Sequence, residues 1–181
     1  ISTQVGCGMQ CSFCATASLG FTRNLSVGEI VDQYLVMDNY AKENGSAGIS
    51  NIVYMGMGEP LMNYTAVMAS IDRLTDPKAI GLAPSRITLS TSGVIKNIIK
   101  LADEGFPCNL AISLHAPKDL LRSQLMPINK TTPIAKLSDA LAHAYFTATL
   151  TFFSVASLYC FLISEKTLES LISFAPSGRY I

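Results

Sequence analysis

Cys7-Gly8-Met9-Gln10-Cys11-Ser12-Phe13-Cys14 is the stretch around which the rest of the chain is best read. Three cysteines stand at spacings of four and three, with Gly6, Gly8 and Gly20 around them. The glycines mark a loop, and a loop can turn three thiols toward one point where a strand cannot. Thiolate is the metal-binding form of cysteine, and convergent thiolates select soft metals. A structural zinc site takes four protein ligands. A 4Fe–4S cluster takes one cysteine per iron. Three cysteines therefore specify either an incomplete zinc site or a cluster with one iron open. No His or fourth Cys follows at zinc-ligand spacing, because the two histidines are His115 and His143. A disulfide is the weaker reading, since five cysteines is an odd count and no signal peptide opens the chain.

At 181 residues the chain has the length of one domain with a real core. Apolar residues make up 49% and the formal net charge is zero. That is no electrostatic footprint for nucleic acid, which calls for an excess of Lys and Arg. A basic surface on another domain would remain compatible with RNA. The residue mix and the lack of a targeting segment lead us to expect a cytoplasmic protein. The chain starts without Met, at what reads as the tail of a strand from Ile1 to Val5. Thr147 to Ser164 is uncharged and rich in Phe, Leu, Ser and Thr. We expect a fragment, with a core over 1–145 and a divergent apolar tail over 146–181. The tail is long and uncharged enough for a membrane helix. Its Ser and Thr content favours instead a segment covering an open sheet edge.

Ser26 and Glu29 form a capping box, so a helix should start there, with Ile30, Val31, Tyr34, Leu35 and Met37 at helical spacing. Ile49 to Met57 reads as a buried strand running into Gly58-Glu59-Pro60. Asn63 caps a helix from Tyr64 to Leu74. Arg86 to Leu89 is a strand leading into Ser90-Thr91-Ser92-Gly93, followed by a helix from Val94 to Glu104. Cys108 to Leu114 is a strand ending at Ser113-Leu114-His115. A short helix covers Asp119 to Leu125, Pro127-Ile128-Asn129 breaks it, and another helix opens at Thr132-Pro133 and runs to Tyr145. Regular alternation of strand and helix predicts a parallel sheet. The polar clusters then all fall at carboxyl ends of strands, the rim where such folds bind ligands. Ordinary turn chemistry explains Ser92 and Gly93 well, and Glu59 and His115 poorly. Glycines beside Glu59 would let a ligand approach the backbone, and its carboxylate could accept from an ammonium group. Ser90, Ser113 and His115 could meet a ribose or a carboxylate. Cys108, at the start of a strand, reads as a small core residue.

The three-cysteine loop with an aromatic, Phe13, before its last cysteine resembles the radical S-adenosylmethionine enzymes. Gly20-Phe21-Thr22-Arg23-Asn24-Leu25, Met55-Gly56-Met57-Gly58-Glu59-Pro60-Leu61, Leu89-Ser90-Thr91-Ser92-Gly93, Ala111-Ile112-Ser113-Leu114-His115-Ala116 and Pro127-Ile128-Asn129-Lys130 follow in order. Together they are similar to the dual-specificity adenine-methylating RNA methyltransferases, the RlmN and Cfr family, over Ile1 to about Ala144. The resemblance implies an α/β fold, a partial (β/α) barrel incomplete at both ends. It implies a 4Fe–4S cluster on Cys7, Cys11 and Cys14, and S-adenosylmethionine (SAM) against Gly58, Glu59, Ser90, Ser113, Leu114 and His115. In the family a deoxyadenosyl radical activates a methyl group carried on a cysteine, which then adds to carbon 2 of an adenine in large-subunit ribosomal RNA or tRNA. The implied partners are those RNAs and an electron donor such as a flavodoxin. The implied enzyme is a monomer that does not engage membranes.

The family's methyl-carrying and resolving cysteines have no match here. The resolving one would precede Ile1, and Cys160 is followed by Phe161, not by the family's Gly-Gln. No catalytic residue is therefore assigned within the chain, and the fragment alone should not complete methylation. Two other readings stay open: a related radical enzyme, including one acting on carbon 8 of adenine, and a non-catalytic zinc- or cluster-binding remnant.

Overall fold

The computed structural model describes residues 1–147. A short strand β1 (Gln4–Gly6) pairs antiparallel with β2 (Phe21–Asn24), and the cysteine loop and a 3-10 turn (Ala15–Leu19) lie between them. Helix α1 (Val27–Glu43) follows, then β3 (Ile52–Tyr54) and α2 (Tyr64–Thr75). After these come β4 (Ile87–Thr91), α3 (Ile95–Asp103), β5 (Asn109–Ile112), α4 (Asp119–Leu125) and α5 (Ile134–Thr147). Strands β3, β4 and β5 form a parallel sheet in that order, with Tyr54 beside Leu89 and Leu89 beside Leu110. The chain start extends this sheet. Ile1 N donates to Val53 O at 2.8 Å, Gly56 N to Ile1 O at 3.0 Å, and Thr3 N to Met57 O at 2.9 Å. The result is an open arc of β/α units, with the cysteine loop springing from its first strand.

The core lies between the sheet and its helices. Ile52, Tyr54, Ile87 and Leu89 pack with Val67, Ile71 and Leu74 of α2, Ile98 and Leu101 of α3, and Leu137 of α5. Only this face of the sheet is dry. Val53 is 47% exposed and Met55 57%, so β3 is not the fully buried strand that its apolar run suggests. Its other face is the concave side of the arc, which the described residues leave open. Helix α1 also departs from its pattern. Ile30 and Tyr34 are buried as expected, Leu35 and Met37 are exposed, and Asp38 takes the third inward position. Asp38 is held there by Ile49 N at 2.7 Å and Lys42 Nζ at 2.6 Å. Asn63 precedes α2 but does not cap it with its side chain. Its Nδ2 donates instead to Thr3 O (2.9 Å) and Leu25 O (2.8 Å), tying the chain start to the sheet. Among the described residues no helix is long and apolar enough to cross a membrane. The tail, from residue 148 on, lies outside the described residues.

Candidate active site

The four clusters expected on one rim do meet there. Cys7, Cys11 and Cys14 are free, half-buried thiols. Burial pushes the Cys7 and Cys11 thiols up, and the neighbouring thiols and the Glu59 carboxylate push them further the same way. This mutual influence puts the three-cysteine loop and the end of β3 within electrostatic reach of each other. The loop also touches the far side of the rim. The Phe13 and His115 rings lie 4.3 Å apart between centroids, tilted by 43°. Ser12 N donates to Leu125 O of α4 at 2.9 Å. Ser90 and Ser113, at the ends of β4 and β5, share a hydrogen bond of 3.2 Å.

Among the described residues no three His, Cys, Asp or Glu side chains are gathered tightly enough for a single ion. A structural zinc needs all its sulfurs about 2.3 Å from one centre. A cluster that takes one cysteine per iron spreads its ligands more widely. Negative charge on neighbouring thiolates beside a carboxylate is costly, and a bound metal cation would relieve it.

Glu59 is 3% exposed and fully engaged. Its Oε1 accepts from Leu61 N (3.1 Å) and Thr91 Oγ1 (2.7 Å), and its Oε2 from Ser92 N (2.8 Å) and Ser92 Oγ (2.7 Å). The carboxylate therefore binds the end of β3 to the end of β4. The main chain beside it is engaged as well: Gly56 N donates to Ile1 O at 3.0 Å, Met57 N to Ser2 Oγ at 2.9 Å, and Glu59 O accepts from Met62 N at 3.0 Å. The glycines there have a packing reason that the sequence concealed. A Cβ on Gly56 would stand 2.5 Å from Ser2 Oγ, and one on Gly58 2.5 Å from Gln4 Cβ, with Gly58 at φ +97°. At both glycines the chain start packs against the side from which a side chain would project. Gln4 Oε1 accepts from Glu59 N at 2.9 Å, so this packing also sets the rim.

Sequence reasoning missed Gln4, Thr91, Ser92 and Arg122. Ser92 passed for a turn residue and Thr91 drew no role, and only the fold brings their hydroxyls onto Glu59. Arg122 is wholly buried. A charged residue in a short helix directly after a rim cluster was its one visible signal.

An arc of parallel β/α units carrying a three-cysteine loop on its carboxyl rim is the form of a radical SAM domain. The family model for the radical SAM superfamily matches residues 1–156, and the chain belongs to that superfamily. Among solved structures it resembles a radical SAM methyltransferase from Sphaerobacter thermophilus. The two share 45% identity and a TM-score of 0.78, over 82% of this chain and 43% of that one. Two similar curated proteins are each named probable dual-specificity RNA methyltransferase RlmN. The one from Christiangramia forsetii is 49% identical over 145 residues, 80% of this chain and 41% of that protein. The one from Chloroflexus aurantiacus is 51% identical over 144 residues, 77% of this chain and 38% of that protein. The chain thus spans about two fifths of the length of these relatives.

Proposed function

We propose that the chain is the cofactor-binding core of an RNA methyltransferase that acts on carbon 2 of adenine in large-subunit ribosomal RNA and tRNA. The observation that carries this reading is the meeting of the cysteine loop, Glu59, Ser90, Ser113 and His115 on one rim, in a chain about half identical to proteins named probable dual-specificity RNA methyltransferases. Cys7, Cys11 and Cys14 would hold a 4Fe–4S cluster with one iron left for SAM. When bound, the pair supplies a radical that can functionalise an electron-poor ring carbon.

The chain's own part is binding and orientation. Gly58, partly exposed beside Glu59, would meet the SAM amino group, while the Glu59 carboxylate keeps the ends of β3 and β4 together. Ser90 and Ser113 would meet polar groups of the nucleoside or of the methionine moiety. His115, facing Phe13, would wall the adenine, with Leu114 next to it in the chain. The methyl-carrying and resolving cysteines would come from the remainder of a longer protein, as would most of the RNA contacts. An electron donor such as a flavodoxin, a monomeric state and a cytoplasmic location complete the proposal.

Nucleoside mass spectrometry of ribosomal RNA and tRNA tests the reading, from cells with the gene deleted and restored. Loss and return of 2-methyladenosine is expected. Unchanged 2-methyladenosine, or loss of the carbon-8 isomer, would overturn it.

A further inference from the structure

Arg122 is the one fully buried cation among the described residues, with 0% exposure. A guanidinium stays charged in proteins, and a buried charge is costly unless its hydrogen bonds are made. Here they are made to neutral acceptors from three separate segments. Nε donates to Leu114 O at 3.1 Å, Nη2 to Ser92 O at 2.7 Å, and Nη1 to Asn129 Oδ1 at 2.6 Å and Thr132 O at 3.4 Å. Asn129 is itself fixed, since its Nδ2 donates to Asp119 Oδ1 at 2.9 Å and Ser123 Oγ at 2.8 Å.

Two of these acceptors belong to the rim. Ser92 follows β4 and has its N–H on Glu59. Leu114 follows β5, and its carbonyl also accepts from Ala116 N at 2.8 Å. That short bond closes a γ-turn centred on His115, whose φ is +59°. Turns of this hand are rare and strained in L-residues and persist only where the surroundings hold them. The turn is what sets the His115 ring against Phe13 in the cysteine loop. The same helix, α4, accepts the Ser12 amide at Leu125 O. Three rim loops therefore converge on α4, and Arg122 grips two of them.

We propose that Arg122 is a positioning residue of the SAM rim: its planar fork, seated on the Ser92 and Leu114 carbonyls, holds the strained His115 turn closed before any ligand arrives. The inference rests on the reading of this rim as a SAM site. Lysine keeps the charge but lacks a rigid fork able to reach two carbonyls in one plane, so the fork and the charge separate experimentally.

The test compares the reconstituted wild-type chain with Arg122→Lys and Arg122→Met. Hydrogen exchange is followed by mass spectrometry over Ser92–Gly93, Ser113–Ala116 and, as a reference, Ile87–Leu89. Calorimetry measures SAM binding. In wild type, the Ser113–Ala116 segment should be protected without SAM. In both variants it should exchange at least about tenfold faster, and SAM should bind about tenfold more weakly, what one lost hydrogen bond to a charged group is worth. Exchange over Ile87–Leu89 should stay unchanged, which separates loosened positioning from general destabilisation. Arg122→Lys behaving as wild type in both readouts would overturn the proposal. Should both variants fail to fold, wild type decides. A Ser113–Ala116 segment that exchanges freely until SAM is added would overturn the proposal, and one protected beforehand would support it. Wild type binding no SAM would overturn the functional reading instead, with the exchange data still judging the turn.

Discussion

The start of α1 and the rim of the sheet are both knots of hydrogen bonds around a glutamate, but they are built differently. At α1, Ser26 and Glu29 cap each other, with Glu29 N on Ser26 Oγ at 3.3 Å and Ser26 N on Glu29 Oε2 at 2.8 Å. Arg23 closes a fork on Glu29 at 2.9 and 2.7 Å. Every partner lies within six residues, and all are exposed. At the rim, Glu59 is buried and its hydroxyl donors come from Thr91 and Ser92, more than thirty residues away. Gln4, which accepts the Glu59 amide, is 55 residues away. The first knot forms as soon as one helical turn forms, and water can replace any part of it. The second exists only when three strands are in register, and nothing replaces a lost partner.

The contrast predicts unequal costs. Glu59→Gln should be the most damaging, because an amide NH2 must face hydroxyl and amide donors in a dry site. A loss of about 4 kcal/mol in urea unfolding is expected from two charge-assisted bonds. A loss under about 1 kcal/mol would mean that water reaches the rim. Gly58→Ala should cost about 3 kcal/mol, from a strained positive φ and from overpacking against the Gln4 side chain. A melting temperature unchanged from wild type would show that Gln4 moves aside freely. Ser26→Ala should cost about 1 kcal/mol, the value of one cap, and unfolding as damaging as at Glu59 would erase the distinction between the two knots.

The smallest effect is a dependence on acid. The Arg23 guanidinium holds the Glu29 carboxyl down at about 2, helped by the Ser26 amide. A lowered carboxyl stabilises the fold above its ordinary value and loses that contribution as pH falls toward the folded one. The melting difference between wild type and Glu29→Gln should therefore be full above about 4.5, and it should shrink toward pH 2. It should also shrink with added salt, since both partners are exposed. A difference constant across that range would show that the ion pair contributes nothing.

The same contrast explains what the sequence made readable. Ser26 and Glu29 announce their helix because capping is a rule of spacing within one turn, and α1 starts where they place it. Alternation of strand and helix placed the polar clusters on one rim without any distance being known. The wiring of that rim was hidden because it pairs residues that only the fold brings together. Glu59 looked like a ligand-facing carboxylate, and three of its four donors sit on Thr91 and Ser92, a distant segment. Gly56 and Gly58 looked like glycines kept for a ligand, and the chain start gives them a packing reason that no local pattern shows. Arg122 drew no reading within its short helix, since no local pattern marks a cation whose acceptors are mostly main-chain carbonyls. Leu35 and Met37 failed for a related reason: apolar spacing cannot say that Asp38 will be drawn inward by the Ile49 amide.

The central claim is that this rim holds an open-iron cluster that meets SAM. Anaerobic reconstitution with iron and sulfide, followed by metal analysis and electron paramagnetic resonance with and without SAM, tests it most directly. The account predicts about four irons per chain and a spectrum that changes when SAM is added. One zinc per chain, or a cluster spectrum indifferent to SAM, would contradict it.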